Sequence, residues 1–206
     1  MYLDKVLKVL NEYETVLEAA AELWNNTKKQ LQNDYGNTGR VYKEKYEAGK
    51  ALYDATVAEA RQKGLATVKE EFTKLNGVVR DFITTPVPSD FLTTLEAVRA
   101  TGKGITEAEA EVYLDKYKNN YTAYRSLANL IEEQTGKKHF VVAYDAIKNE
   151  IAEHERIATR YFDSATGSYL RALFSSEKSS PLLKLDAMLQ EFITKDVGKF
   201  TNTEAM

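Results

Sequence analysis

This sequence predicts an all-α protein, on three observations. Residues 3–31 carry Leu3, Val6, Leu10, Tyr13, Leu17, Ala20, Trp24, Thr27 and Leu31 in steps of three and four, the spacing that lines one side of a helix. The prolines fall at only two places, Pro86/Pro88 and Pro181, so the chain between them is free to hydrogen-bond as helix. The short β-branched pairs Val78-Val79 and Val141-Val142 lie inside helical spacings and make no convincing strand.

The first helix is expected from about residue 2 to 33, a length of roughly 50 Å. It ends at Asn33-Asp34-Tyr35-Gly36-Asn37-Thr38-Gly39, a run of residues that tolerate a tight reversal. Beside the heptad seam it has a third apolar column, Val9, Val16 and Leu23. Two columns suit a free two-stranded coiled coil, whereas three call for neighbours on more than one side.

A second helix is expected from Arg40 to Ile83. Its later half repeats cleanly through Leu65, Val68, Phe72, Leu75, Val79 and Phe82, while its earlier half uses another face marked by Tyr46, Tyr53 and Ala60. Gly64 stands where the register changes. One glycine costs only about 1 kcal/mol in a helix, so the reading favours a continuous helix with a shifted seam over a break.

Thr84-Thr85-Pro86-Val87-Pro88-Ser89 reads as an extended connector, and short helices follow. Ser89 or Asp90 is placed to cap Phe91–Ala100, and Thr101-Gly102-Lys103-Gly104 is a turn. Thr106-Glu107-Ala108-Glu109 is a capping box, in which hydroxyl and carboxylate satisfy end amides reciprocally. Asn119-Asn120 is a candidate break, and Gly136 stops a helix beginning at Tyr121. A third long helix is expected near Phe140, with the stripe Phe140, Tyr144, Ile147, Ile151, His154, Ala158, Tyr161 and Ala165, continuing toward Tyr169–Phe174. Ser180-Pro181 caps a last helix over residues 182–194, and the tail after Asp196 is polar.

From these elements the expected architecture is an elongated antiparallel bundle with a small inserted lobe. Residues 1–85 form a long αα-hairpin, 86–138 the lobe of short helices, and 139–206 the remaining bundle helices and the tail.

Composition excludes several chemistries. The chain has no cysteine and two histidines, so a disulfide framework, a thiolate zinc site and a cysteine nucleophile are ruled out. Its formal charge is −3, from 28 Lys/Arg and 31 Asp/Glu spread evenly along its length. No segment is basic enough to be a nucleic-acid footprint. The N-terminus has acidic residues where a signal peptide is apolar, and no apolar run approaches the ~20 residues of a membrane span. The expected location is the cytoplasm of the producing cell, without secretion by a signal peptide.

Candidate sites are few. Tyr113, Tyr117, Tyr121 and Tyr124 would share one face if the helix ran through Asn119-Asn120. Such a stripe suits a protein partner, since tyrosine is favoured in interface cores. The competing reading is that the four rings are wide core residues. His154 occupies a seam position, where it is either a pH-sensitive contact or a core histidine bonded to a neighbouring helix. Ile151 stands where a di-iron bundle would need glutamate. Gly102-Lys103-Gly104 and Gly136-Lys137-Lys138 lack the glycine spacing and preceding strand of a phosphate loop. Glu107, Glu109 and Glu111 are better explained by the helix dipole than by acid–base work. No catalytic set, metal, cofactor or small-molecule substrate is implied.

The stretch GITEAEAEVYLDKYKNNYTAYRSLANLIEEQTGK, residues 104–137, resembles helical segments of uncharacterised small all-helical proteins of bacterial phages and prophages. The likeness rests on a capped acidic helix, a Tyr-Lys-x-Asn-Tyr centre and a Tyr-Arg-x-Leu helix, over about a sixth of the chain. It implies a phage-type origin, hence structural or assembly work or interference with a host protein, with the virion as a second possible location. The expected function is a non-enzymatic interaction or assembly protein working through a protein partner or self-assembly. A soluble inhibitor or adaptor binding a host protein through the 86–138 lobe is the first alternative, and a nucleic-acid-associated protein the second.

Overall fold

The protein is all-α. The structure, a computed structural model, describes residues 2–139, 141–163 and 180–197. The helices among the described residues are α1 (Asp4–Tyr35), α2 (Arg40–Ile83), α3 (Phe91–Thr101), α4 (Glu107–Tyr117), α5 (Tyr121–Thr135), α6 (Tyr144–Arg160) and α7 (Pro181–Thr194), with a 3-10 turn at Gly102–Gly104. No strand occurs among the described residues, and no helix among them is long and apolar enough to cross a membrane.

Contacts divide the chain into two compact units. The hairpin unit comprises Leu3–Glu71 and the described residues 155–163. The short-helix unit comprises Tyr2, Phe72–His154 and the described residues 180–197. This division falls inside α2 and α6 rather than at the boundaries near 85 and 138 expected from the prolines and Gly136. The reason lies in aromatic packing. Phe192 of α7 meets both Phe82 of α2 and Tyr121 of α5, at centroid separations of 5.2 and 5.9 Å. Asn120 Nδ2 donates to the Pro86 carbonyl, and the Thr122 hydroxyl to that of Ile83. Proline ends α2, but the turns before it belong to the same core as the helices after it.

In the hairpin unit the heptad seam of α1 is inward for much of its length: Leu3, Val6, Leu10, Tyr13, Ala20 and Leu31 are buried. The turn after α1 is made by Gly36 at φ 65°, a left-handed value that glycine adopts without penalty. α2 runs unbroken through Gly64, and packing explains that glycine. A Cβ placed there would lie 2.2 Å from Cε1 of Phe162. Phe162 is 2% exposed. Its ring tilts against Tyr13 at 4.8 Å and sits edge-on to Tyr161 at 5.9 Å. Arg61 holds the same corner, donating from Nε to the Phe162 carbonyl and from Nη2 to Asp163. The Tyr161 hydroxyl donates to Glu14.

In the short-helix unit, Phe91, Val98, Leu114, Tyr117, Leu127 and Ile131 share one core with smaller neighbours. Burying each such side chain contributes about 1.5–3 kcal/mol. Two predicted end signals form: Thr106 and Glu109 make the reciprocal box, and Gly136 at φ 72° ends α5. Asn120, expected only as a break, also accepts from the Ala123 amide. Asp90 precedes Phe91 without a side-chain cap bond, because its carboxylate is taken by Lys116. Ser180 precedes Pro181 at the start of α7 without a side-chain cap bond. α6 begins at Tyr144 rather than near Phe140, because the backbone before it is otherwise engaged. The Val142 carbonyl accepts the Tyr121 hydroxyl, and the Ala143 carbonyl starts the helical ladder. Phe140, Ala165, the continuation toward Tyr169–Phe174 and the tail after 197 lie outside the described residues.

Three carboxylates of this unit are held below their ordinary range. Asp90 bonds Lys116 at 2.6 Å, Glu107 bonds Lys137, and Glu109 accepts from the Thr106 amide and hydroxyl. A lowered folded-state pKa stabilises the fold above the unfolded-state value, and that stabilisation is lost as pH falls through the folded-state value. The midpoint of urea unfolding is therefore expected to be flat near neutrality and to drop below about pH 4.5. Glu107→Gln should flatten part of that drop. An unchanged acid limb in this variant would show that the Glu107–Lys137 pair contributes nothing.

Candidate functional site

The feature that stands out chemically is how little of the α1–α2 hairpin is covered near its turn. Between Arg40 and Lys63 no residue of α2 is buried, and between Glu14 and Asp34 only Ala20 and Leu31 of α1 are. A helix in water draws most of its stability from packing one apolar face, and here that packing is thin. Trp24 is one contributor to it. Its ring tilts against Tyr46 at 4.9 Å, and Tyr46 meets Tyr42 at 5.8 Å. Gly49 lets α2 approach, since a Cβ there would stand 2.8 Å from the indole. Lys28, one turn further along α1, lies over the Trp24 ring, 5.4 Å from its centroid.

Beside this contact is an apolar cavity of about 210 Å³, lined by Ala20, Leu23, Trp24 and Thr27 of α1 and Gly49, Leu52, Tyr53 and Thr56 of α2. Its rim is exposed: Leu23 is 62% and Leu52 63% accessible, and Val41 and Tyr35 are open nearer the turn. Large apolar side chains gathered at a cavity mouth mark an interaction surface more often than leucines scattered singly. The third column explains their origin. Val9 is buried and Val16 half-buried, but Leu23 has left the covered part of the hairpin. The sequence carried this signal in the column itself; what it could not show is where along the column the cover stops.

The tyrosine stripe is divided. Asn120 does break the helix, so Tyr113 and Tyr117 end α4 while Tyr121 and Tyr124 begin α5. Tyr117 and Tyr121 are core residues, 2% and 3% exposed. The Tyr117 hydroxyl pairs with Thr94 at 2.8 Å and its ring meets Phe91 edge-on. Tyr113 and Tyr124 are half-buried against the same core.

His154 is mostly covered, with 11% of its side chain exposed. Its Nδ1 lies 2.9 Å from the Glu150 carbonyl and 3.5 Å from the Glu150 carboxylate. These bonds are to its own helix, one turn back, rather than to a neighbouring helix.

An open groove of about 680 Å³ runs beside α4, lined among others by Glu111, Asp115, Lys118, Tyr124, His139 and Asp196. The Val197 amide donates to the Lys118 carbonyl, which brings Asp196 to this edge. Burial, and then the charge of Asp196, push the Tyr124 phenol up, and the hydrogen bond that Lys118 donates to Asp115 raises the lysine. Lys118 and Asp115 of the groove therefore pair with each other. Among the described residues no group of three or more His, Asp or Glu side chains is placed to hold a metal ion. Glu107 and Glu109 are engaged by Lys137 and Thr106. The chain matches no protein-family model, no curated protein and no solved structure.

Proposed function

We propose that this chain is a non-enzymatic interaction protein that works as part of an assembly, with the open face of the α1–α2 hairpin as its contact surface. One observation carries the reading: 24 consecutive residues of α2 without a buried side chain, beside an apolar cavity rimmed by Leu23 and Leu52. A helical pair this thinly packed gains by being covered. The likeness of residues 104–137 to phage and prophage proteins supports placing it among structural or morphogenesis components, with an antiparallel bundle of the seam-bearing helices as its frame.

A second reading has its own observation. Val112 is 69% exposed and shares a shallow cavity with Ala108, Glu109 and Tyr113 on α4, so a host protein bound through the 86–138 region is the alternative occupant of this role.

The experiment is cross-linking mass spectrometry on the chain captured from its producing cells. Cross-links are expected on Lys28, Lys29, Lys43 and Lys45. The variant Leu23→Ser/Leu52→Ser should lose them while its circular dichroism and melting stay unchanged, because both side chains are already exposed. Cross-links confined to Lys103, Lys116 and Lys118, and indifferent to that variant, would transfer the function to the α4 surface.

A further inference from the structure

The hairpin face is symmetric about its own middle. Leu23 lies twelve residues before the end of α1 at Tyr35, and Leu52 twelve residues after the start of α2 at Arg40. Both are therefore about 18 Å from the turn, on opposite walls of one cavity. Charge changes sign across this level. On the turn side, residues 24–51 hold six Lys/Arg and three Asp/Glu, a net of +3. On the far side, residues 12–23 and 52–63 hold two Lys/Arg and six Asp/Glu, a net of −4. The same reversal occurs within one heptad column of α2. Lys45 precedes Leu52 by seven residues and Glu59 follows it by seven, so the three project from one face. Lys45 and Glu59 are both exposed. Lys45 rests over the Tyr35 ring, and Glu59 makes no ion pair among the described residues.

We propose that a second copy of this chain covers the α1–α2 hairpin face, in an antiparallel two-fold pairing centred on Leu23 and Leu52. This rests on the surface reading above and names its partner. Turning one hairpin end for end about Leu52 sets Lys45 of each copy against Glu59 of the other, twice per dimer. It also lays each positive turn half over a negative half. Self-complementarity of this kind is what a two-fold interface requires, and opposite charges flanking an apolar centre fix register and direction. Size is adequate as well. Two helices side by side, overlapping over roughly 35 Å, present a face about 20 Å wide. That buries about 1,400 Å² in total, within the range of specific interfaces.

The test is sedimentation equilibrium of the full chain between about 1 and 200 µM, on the natural sequence, Lys45→Glu, Glu59→Lys and the double variant, with circular dichroism to confirm the fold. A dimer is expected for the natural sequence. Each single swap places like charges together twice and should weaken association at least tenfold. The double swap restores both pairs in reverse and should bring affinity back to within about threefold. A monomer throughout the concentration range overturns the proposal. If hairpin cross-links to a different protein persist in that case, the surface reading survives and only its partner changes. An oligomer indifferent to the swaps, or one weakened by the singles and not rescued by the double, overturns the pairing as well, and places self-association elsewhere.

Discussion

Replacing Phe162 by alanine is expected to lower the free energy of unfolding by about 3–5 kcal/mol, the range for deleting a buried aromatic ring. The ring is almost wholly enclosed, touches Tyr13 and Tyr161, and covers the backbone of α2 at Gly64. The partner substitution gives a sharper result. In an unobstructed helix interior Gly→Ala stabilises by about 1 kcal/mol. Here the added methyl would meet the Phe162 ring at 2.2 Å, and the ring is hemmed in on its other sides. Gly64→Ala should therefore destabilise, by about 1–3 kcal/mol as overpacked cores do. In the Phe162→Ala background the obstruction is gone, and the same change should become stabilising. Urea unfolding of the four proteins in this cycle measures both signs. A neutral or stabilising Gly64→Ala in the natural sequence would show that Phe162 does not rest on α2 as described.

The second large effect concerns Tyr121. Tyr121→Ala is expected to cost about 3–5 kcal/mol, since the ring packs edge-on to Phe192 and is 3% exposed. Tyr121→Phe separates the hydroxyl from the ring. That hydroxyl donates to the Val142 carbonyl at 2.9 Å and accepts from Arg125 at 3.2 Å. Removing it leaves a buried acceptor unpaired, at about 1–3 kcal/mol. Thermal or urea unfolding of both variants reads this directly. Were Tyr121 a surface contact for a partner, both substitutions would leave stability unchanged and alter only association.

How far the sequence could be read depended on whether the signal was local. Gly36, Gly102 and Gly136 all end helices at positive φ, and each was legible because the requirement sits in the glycine itself. The capping box at Thr106–Glu109 was legible for the same reason, its partners being three residues apart, whereas Asn120 was legible as a break and not as the cap of α5. Gly64 was visible only as a change of register; its cause lies 98 residues later, at Phe162. The tyrosine stripe shows the converse. Spacing places four rings in sequence order, but whether they face core or solvent depends on Thr94, Phe91, Val142 and Phe192, each from another part of the chain. The onset of α6 was misplaced because an apolar stripe says nothing about which carbonyls are already engaged, as Val142 is. For the hairpin face the apolar column was plain, whereas the absence of cover along α2 from 40 to 63 is a property of the whole structure.

The turn between α1 and α2 has a practical side. Every residue from Gln32 to Val41 is exposed, Gly36 and Gly39 have open space around them, and the chain contains no cysteine. A single cysteine at Thr38 would thus be a unique chemical handle, distant in sequence from every buried aromatic contact of Phe162 and Tyr121. A fluorophore or spin label attached there would turn the hairpin into its own ruler.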